Sequence, residues 1–122
     1  MKGILKKLRK GRLLGSSLGK GVGLMEKLKL FWKAECPKCP QAKVVGNILR
    51  KEGLEVIDYD IETVDGLAEA TYYGVLSTPT LIVEDPAENP IADFRGTIPS
   101  PDEIRKILVN SREVRKKHQL PV

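Results

Sequence analysis

The sequence predicts an α/β domain: one four-stranded mixed sheet flanked by helices, in the order β-α-β-α-β-β-α. Three observations carry that expectation. Short runs rich in Val, Ile, Leu and aromatic residues alternate with segments of helical periodicity along the 122 residues. The first strands are joined through helices, and short helical crossovers make the strands they connect parallel. The last two strands are separated only by Asp85-Pro86-Ala87-Glu88-Asn89-Pro90, a turn-rich stretch that reads as an antiparallel hairpin loop. A chain of this length is one domain by the usual size rule, with room for a core that needs no disulfide staple.

The elements follow in order. Leu28, Leu30, Phe31 and Trp32 read as the first strand. Pro37 suits an early helical position, where its missing N–H costs nothing. Val44, Val45, Ile48 and Leu49 mark one face of the first helix, which Gly53 ends as a C′ residue. Residues 54–61 form a second strand with Val56 and Ile57 inward, and residues 65–73 a short helix stopped at Gly74. Residues 80–84 and 91–95 are the hairpin strands. Ser100-Pro101-Asp102-Glu103 is a capping box with proline at the first helical position, and Ile104, Ile107 and Leu108 continue a helical face. This gives three regions: a basic, Gly-rich extension over 1–24, a folded domain over 25–111, and a basic tail over 112–122 that frays.

The net charge of +5 belongs to the extension. Residues 1–24 hold seven Lys and Arg and no acid, so residues 25–122 keep 14 basic and 16 acidic side chains, a net of −2. A basic nucleic-acid-binding domain is therefore not expected, and any contact with nucleic acid or an anionic membrane is confined to the extension. Six of the eleven glycines lie in that segment, which disfavours a long helix there and favours a solvated extension. The run MEKLKLFW, at the first strand, reads equally as a start at Met25. The opening has the basic start of a signal peptide but no continuous apolar stretch, and no run approaches the roughly 20 apolar residues of a spanning helix. The expectation is a soluble, cytoplasmic monomer.

The chemistry lies in Cys36-Pro37-Lys38-Cys39, which holds both cysteines of the chain. Two residues apart, they close no useful loop and do not serve as a stability staple. A cysteine where a strand gives way to a helix meets the unpaired N–H groups and positive end of that helix, which favours the thiolate. Cys36 takes that place and Cys39 lies one turn further in, more sheltered. Cys36 is then the nucleophile toward a disulfide and Cys39 the resolving thiol. Lys33 and Lys38 support the thiolate and Glu35 opposes it. A CxxC is also half of a tetrahedral zinc site, or part of an iron–sulfur carrier across a dimer. The remaining strong candidate ligand, His118, lies in a charged tail, so redox chemistry with no metal is the preferred reading. Ser77-Thr78-Pro79-Thr80 places a proline at the entry of the third strand, a permitted position for either isomer. With a cis Thr78–Pro79 bond, the Thr78 backbone would turn toward Cys36 and leave its N–H and C=O free for an extended substrate.

The CxxC with a helix behind it, Thr-Pro-Thr entering the third strand and Gly96 after the fourth are similar to the thioredoxin–glutaredoxin superfamily, over about residues 26–110. The resemblance implies a thioredoxin fold, a nucleophilic Cys36, a resolving Cys39 and a cis Pro79. Phe31-Trp32 before Cys36 resembles thioredoxins, although Glu35 replaces their second Trp and Leu30 stands where they keep a buried Asp. Lys33 and the Cys-Pro-x-Cys resemble glutaredoxins. Those bind glutathione partly through a Gly-Gly and a following Asp; here Arg95-Gly96-Thr97 has one glycine and Asp102 is a loose candidate, so glutathione is not the expected reductant. The mixture resembles the small glutaredoxin-like redoxins of archaea and anaerobic bacteria, some of which reduce ribonucleotide reductase. It implies a protein disulfide reductant with the Cys36–Cys39 disulfide as sole redox group. Lys33, Pro37, Lys38, Thr78 and Pro79 would support the site, and a thioredoxin-reductase-type flavoenzyme would recharge it.

Overall fold

The structure, a computed structural model, describes residues 25–119. The expected extension over 1–24 lies outside the described residues. The elements run β1 (Lys27–Trp32), α1 (Cys39–Lys51), β2 (Glu55–Asp60), α2 (Val64–Tyr72), β3 (Thr80–Glu84), β4 (Pro90–Arg95) and α3 (Pro101–Gln119). The sheet order is β2-β1-β3-β4, with β1 and β2 parallel and both β1–β3 and β3–β4 antiparallel. This is a thioredoxin fold, as the sequence leads one to expect.

Strand alternation sorts side chains to two faces. Leu28 and Leu30 of β1 and Leu81 and Val83 of β3 pack with Ala42, Val45 and Leu49 of α1 and Ile104 and Leu108 of α3. The opposite face carries a smaller cluster of Phe31, Ile82, Ala70 and Val75, closed by Tyr59, Ile61 and Tyr73, so α2 covers this side. Phe31 stacks on Tyr59 with ring centroids 5.1 Å apart. Beside them lies a buried ionic group. Lys29 donates to Glu69 at 3.0 Å and to the Tyr73 hydroxyl at 2.8 Å, and it lies 3.4 Å from Glu84. Tyr73 in turn donates to the fully buried Glu84. Burial opposes the Lys29 charge, but its bonds to Tyr73 and Glu69 outweigh that and hold its pKa above the ordinary lysine value. Charges buried this way persist only when paired.

Three expectations are corrected. The inward face of α1 is Cys39, Ala42, Val45, Gly46 and Leu49, whereas Val44 and Ile48 are 56 % and 38 % exposed. Small residues take the inner face because the helix lies close to the sheet: a Cβ on Gly46 would sit 3.4 Å from Val56 Cγ1 and 3.6 Å from Leu30 Cδ2. Pro37 is not in the first helical turn; it lies in a turn before α1, and Pro40 occupies the early helical position instead. Last, no break falls between residues 111 and 112. Helix α3 continues through Gln119, because Ser111, Arg112 and Arg115 all donate to the fully buried Glu26 at 2.8, 3.2 and 2.8 Å. The capping box does form, with Ser100 and Glu103 exchanging side chain-to-backbone bonds of 3.1 Å.

Candidate active site

The parallel strands β1 and β2 end at the same edge of the sheet at which antiparallel β3 begins, and in open α/β sheets ligands bind beyond the carboxyl ends of the strands. The cysteines and the proline meet at this edge. After β1, residues Lys33, Ala34 and Glu35 lead to Cys36, and the backbone turns so that Cys39 N–H donates to Cys36 C=O at 3.2 Å. Lys38 is the N-cap of α1, and the first helical bond runs from Ala42 N–H to its carbonyl at 3.2 Å. Cys36 therefore stands just ahead of the helix and Cys39 is its first residue.

The two are joined as a disulfide with a Cα–Cα distance of 5.3 Å, within the normal range for such bridges. Cys36 is 6 % exposed and Cys39 2 %, so the outer sulfur-bearing residue is Cys36, the order the spacing suggests. No side chain caps the first turn of α1 and no acid lies in it. Nothing there competes for the positive end of the helix, which remains available to a thiolate.

Thr78–Pro79 is cis. The last ladder pair of β1 and β3 is Phe31 with Thr80, so continuing the register brings Trp32 level with Pro79 and Lys33 level with Thr78. Bonds on either side fix this corner. Thr80 Oγ1 donates to Ser77 C=O at 2.8 Å, and Gly96 N–H donates to Pro79 C=O at 2.8 Å. Gly96 adopts φ +75°, a left-handed conformation that side chains disfavour, which gives this glycine a structural reason. Pro79 is buried and Thr78 half-buried, while Lys33, Pro37 and Lys38 are exposed around the cysteines. All seven residues singled out in the sequence thus gather at one edge.

Sequence reasoning missed other contributors. Arg95, at the end of β4, donates to the backbone carbonyls of Gly74 and Tyr73 at 3.0 and 3.2 Å and so anchors the start of the loop that carries Thr78. Lys43, one turn into α1 from Cys39, places its ammonium 3.2 Å from the ring centroid of Trp32, the last residue of β1, in a cation–π contact. Leu76 in the same loop is 97 % exposed. Lys43 had a detectable signal, the i to i+4 spacing from Cys39; the Arg95 contact joins residues 21 and 22 apart and had none. Leu30 packs in the apolar core.

Comparison with known proteins agrees with this geometry. A thioredoxin domain family profile matches residues 26–109. A probable thioredoxin of Archaeoglobus fulgidus is 39 % identical over 62 residues, half of this chain and 68 % of the relative. Among solved structures, a variant thioredoxin of Halobacterium salinarum superposes with a TM-score of 0.61 at 22 % identity, covering 70 % of this chain and 74 % of its own. Oxidised thioredoxin O2 of Arabidopsis thaliana gives 0.59 at 17 % identity, covering 72 % and 76 %. These two likenesses speak for the fold; the profile and the archaeal relative speak for the family. On that ground the chain belongs to the thioredoxin domain family, within the thioredoxin/glutaredoxin superfamily of thiol–disulfide oxidoreductases.

Proposed function

We propose that the protein is a dithiol reductant of protein disulfides, with Cys36 as nucleophile and Cys39 as resolving thiol. The observation that carries this reading is the order of the two cysteines at the start of α1: Cys36 ahead of an uncapped helix end, Cys39 inside the first turn and more enclosed. In the reduced protein the Cys36 thiolate attacks one sulfur of a substrate disulfide. The Cys36–substrate S–S bond forms, the substrate S–S bond breaks, and one substrate thiolate leaves. The Cys39 thiolate then attacks Cys36 Sγ, restoring the Cys36–Cys39 disulfide and expelling the second substrate thiolate. Two electrons pass to the substrate. The Cys39 proton goes to a departing thiolate, since apolar Leu30 holds the place where thioredoxins keep an aspartate.

Substrate alignment follows from the corner at Pro79. No hydrogen bond joins the Thr78 backbone to another described residue, which leaves it able to pair with an extended segment of substrate. Lys33 and Lys38, exposed beside Cys36, favour its thiolate, and Pro37 between the cysteines shapes the turn. The electrons return from a thioredoxin-reductase-type flavoenzyme, with glutathione the weaker candidate. Lys33 and Cys-Pro-Lys-Cys support a glutaredoxin-like redoxin as the finer type.

The test is a pair of variants assayed on a protein disulfide with dithiothreitol as reductant. Cys36→Ser should remove turnover, and Cys39→Ser should accumulate a mixed disulfide with substrate through Cys36. Turnover retained in Cys36→Ser would overturn the assignment of the nucleophile.

A further inference from the structure

The corner that carries Thr78 and Pro79 is tied to two elements by one side chain. Along β4, Ala92 and Phe94 pack toward the core under α1 and α3, so Asp93 and Arg95 alternate to the α2 face. Arg95 is level with Thr80 of β3, the residue after Pro79. From there its guanidinium reaches back to the end of α2, donating through Nη1 to Gly74 C=O at 3.0 Å and through Nη2 to Tyr73 C=O at 3.2 Å. Its Nε donates to Asp93 at 2.9 Å, which fixes the plane of the fork. A planar guanidinium serves three acceptors at once in this way, and an ammonium cannot hold the same geometry. Arg95 is also the one Lys or Arg between residues 52 and 104.

The plainer role for Arg95 is that of a helix cap. Tyr73 is the C-cap of α2, and a helix leaves its last carbonyls without partners. Yet α2 has other attachments: Ala70 and Val75 pack with Phe31 and Ile82, and Lys29 bonds Glu69 and Tyr73. What Arg95 adds is a fixed span from Tyr73 and Gly74 to Thr80. Within that span Val75 N–H donates to Ala70 C=O, Thr80 Oγ1 to Ser77 C=O and Gly96 N–H to Pro79 C=O, each at 2.8 Å. Residues 76–78 lie between these ties, with Leu76 and Ser77 exposed and Thr78 half-buried.

We propose that Arg95 is a positioning residue for substrate binding: its clamp holds residues 75–79 so that the Thr78 N–H and C=O are aimed at the substrate segment beside the substrate disulfide. The inference rests on the reading of Thr78 as the residue that pairs with substrate. A loop that must be ordered on binding costs conformational entropy, so a loop fixed beforehand binds an extended segment better. Alignment matters as well, because a small misplacement of reacting atoms slows a reaction sharply. Among the described residues, the hydrogen bonds of the Arg95 guanidinium go to Asp93, Tyr73 and Gly74, and none goes to Cys36 or Cys39. Its loss therefore acts on recognition of the peptide backbone and leaves the thiol chemistry unchanged.

The test reacts the pre-reduced full-length chain, wild type and Arg95→Met, with three disulfides and compares the second-order rates. One is a peptide disulfide, one the same peptide N-methylated at the backbone amides flanking its cysteines, and one dithiobis(nitrobenzoate), which has no peptide backbone. Wild type should favour the unmethylated peptide by about 10-fold, the worth of one or two backbone hydrogen bonds. Arg95→Met should slow that reaction by about 3–10-fold and change the other two by less than about twofold. The Cys36–Cys39 potential should stay the same, and the urea midpoint shows that the variant is folded. Should Arg95→Met not fold, Arg95→Lys, which keeps a donor for one carbonyl, is read by the same ratios. Equal loss on all three disulfides would make Arg95 a helix cap alone, and no loss on any would leave it without a role; each overturns the inference. A wild type indifferent to N-methylation would instead overturn the reading of Thr78 on which the inference rests.

Discussion

At the scale of single residues, backbone clearance decides more than composition does. Gly66, in the first turn of α2, is one such place: an added Cβ would fall 1.9 Å from the Asp60 carbonyl oxygen and 2.9 Å from Thr63 Oγ1. Thr63 is the N-cap, accepting from Gly66 N–H at 3.0 Å and donating to Asp60 C=O at 2.7 Å, so the turn has no slack. Gly66→Ala should cost about 2–4 kcal/mol, read as a lowered urea midpoint. Unchanged stability would mean that this turn is not held as described. A glycine in a helix reads in sequence as a weak point, not as a required one. The same blindness affected α1, where Val44 and Ile48 looked like core and Ala42 and Gly46 did not. Apolar size marks a residue as able to be buried; the close approach of helix to sheet decides which residue is.

At the scale of elements, the sequence was readable wherever the signal is local. The capping box of α3, the glycines after α1 and α2, and the hairpin at 85–90 all form where spacing placed them. The end of α3 was not readable, because its reason lies 85 residues away in Glu26. Burial opposes ionisation of that carboxyl, but hydrogen bonds from Ser111 and Arg112 and the charge of Arg115 outweigh it and hold the pKa below the ordinary glutamate value of 4.5. A carboxyl with a depressed folded-state pKa adds stability above its unfolded value, and that stability is lost as pH falls through the folded value. The wild-type protein should therefore lose stability below about pH 4.5 more steeply than Glu26→Gln. At neutral pH the variant should be less stable by about 1–3 kcal/mol, because a buried charged acceptor is lost. Denaturant titrations at several pH values check both; parallel pH profiles for the two proteins would contradict the role of Glu26.

At the scale of the whole molecule, two unlike halves meet at one working edge. The larger apolar core under α1 and α3 holds the helix that carries Cys39, and the tyrosine-lined, ionic side under α2 supports the loop that carries Thr78 and Pro79. The fold was legible, and so was the edge at which the seven proposed site residues lie, because a CxxC and a strand-entering proline are short local signals. The ionic core was not: Lys29 and Glu84 look like solvent-facing alternation in a strand, and only the antiparallel pairing of β1 with β3, with α2 laid over it, makes them buried partners. The central claim is that Cys36 and Cys39 form a reversible couple poised to reduce other disulfides. Equilibrating the protein in thiol buffers of graded potential, then alkylating the free thiols, measures that couple directly. The account predicts a reversible two-electron transition near or below about −250 mV. A transition near about −150 mV would make the protein an oxidant or isomerase instead, and the absence of any disulfide at oxidising poise would contradict the redox assignment itself.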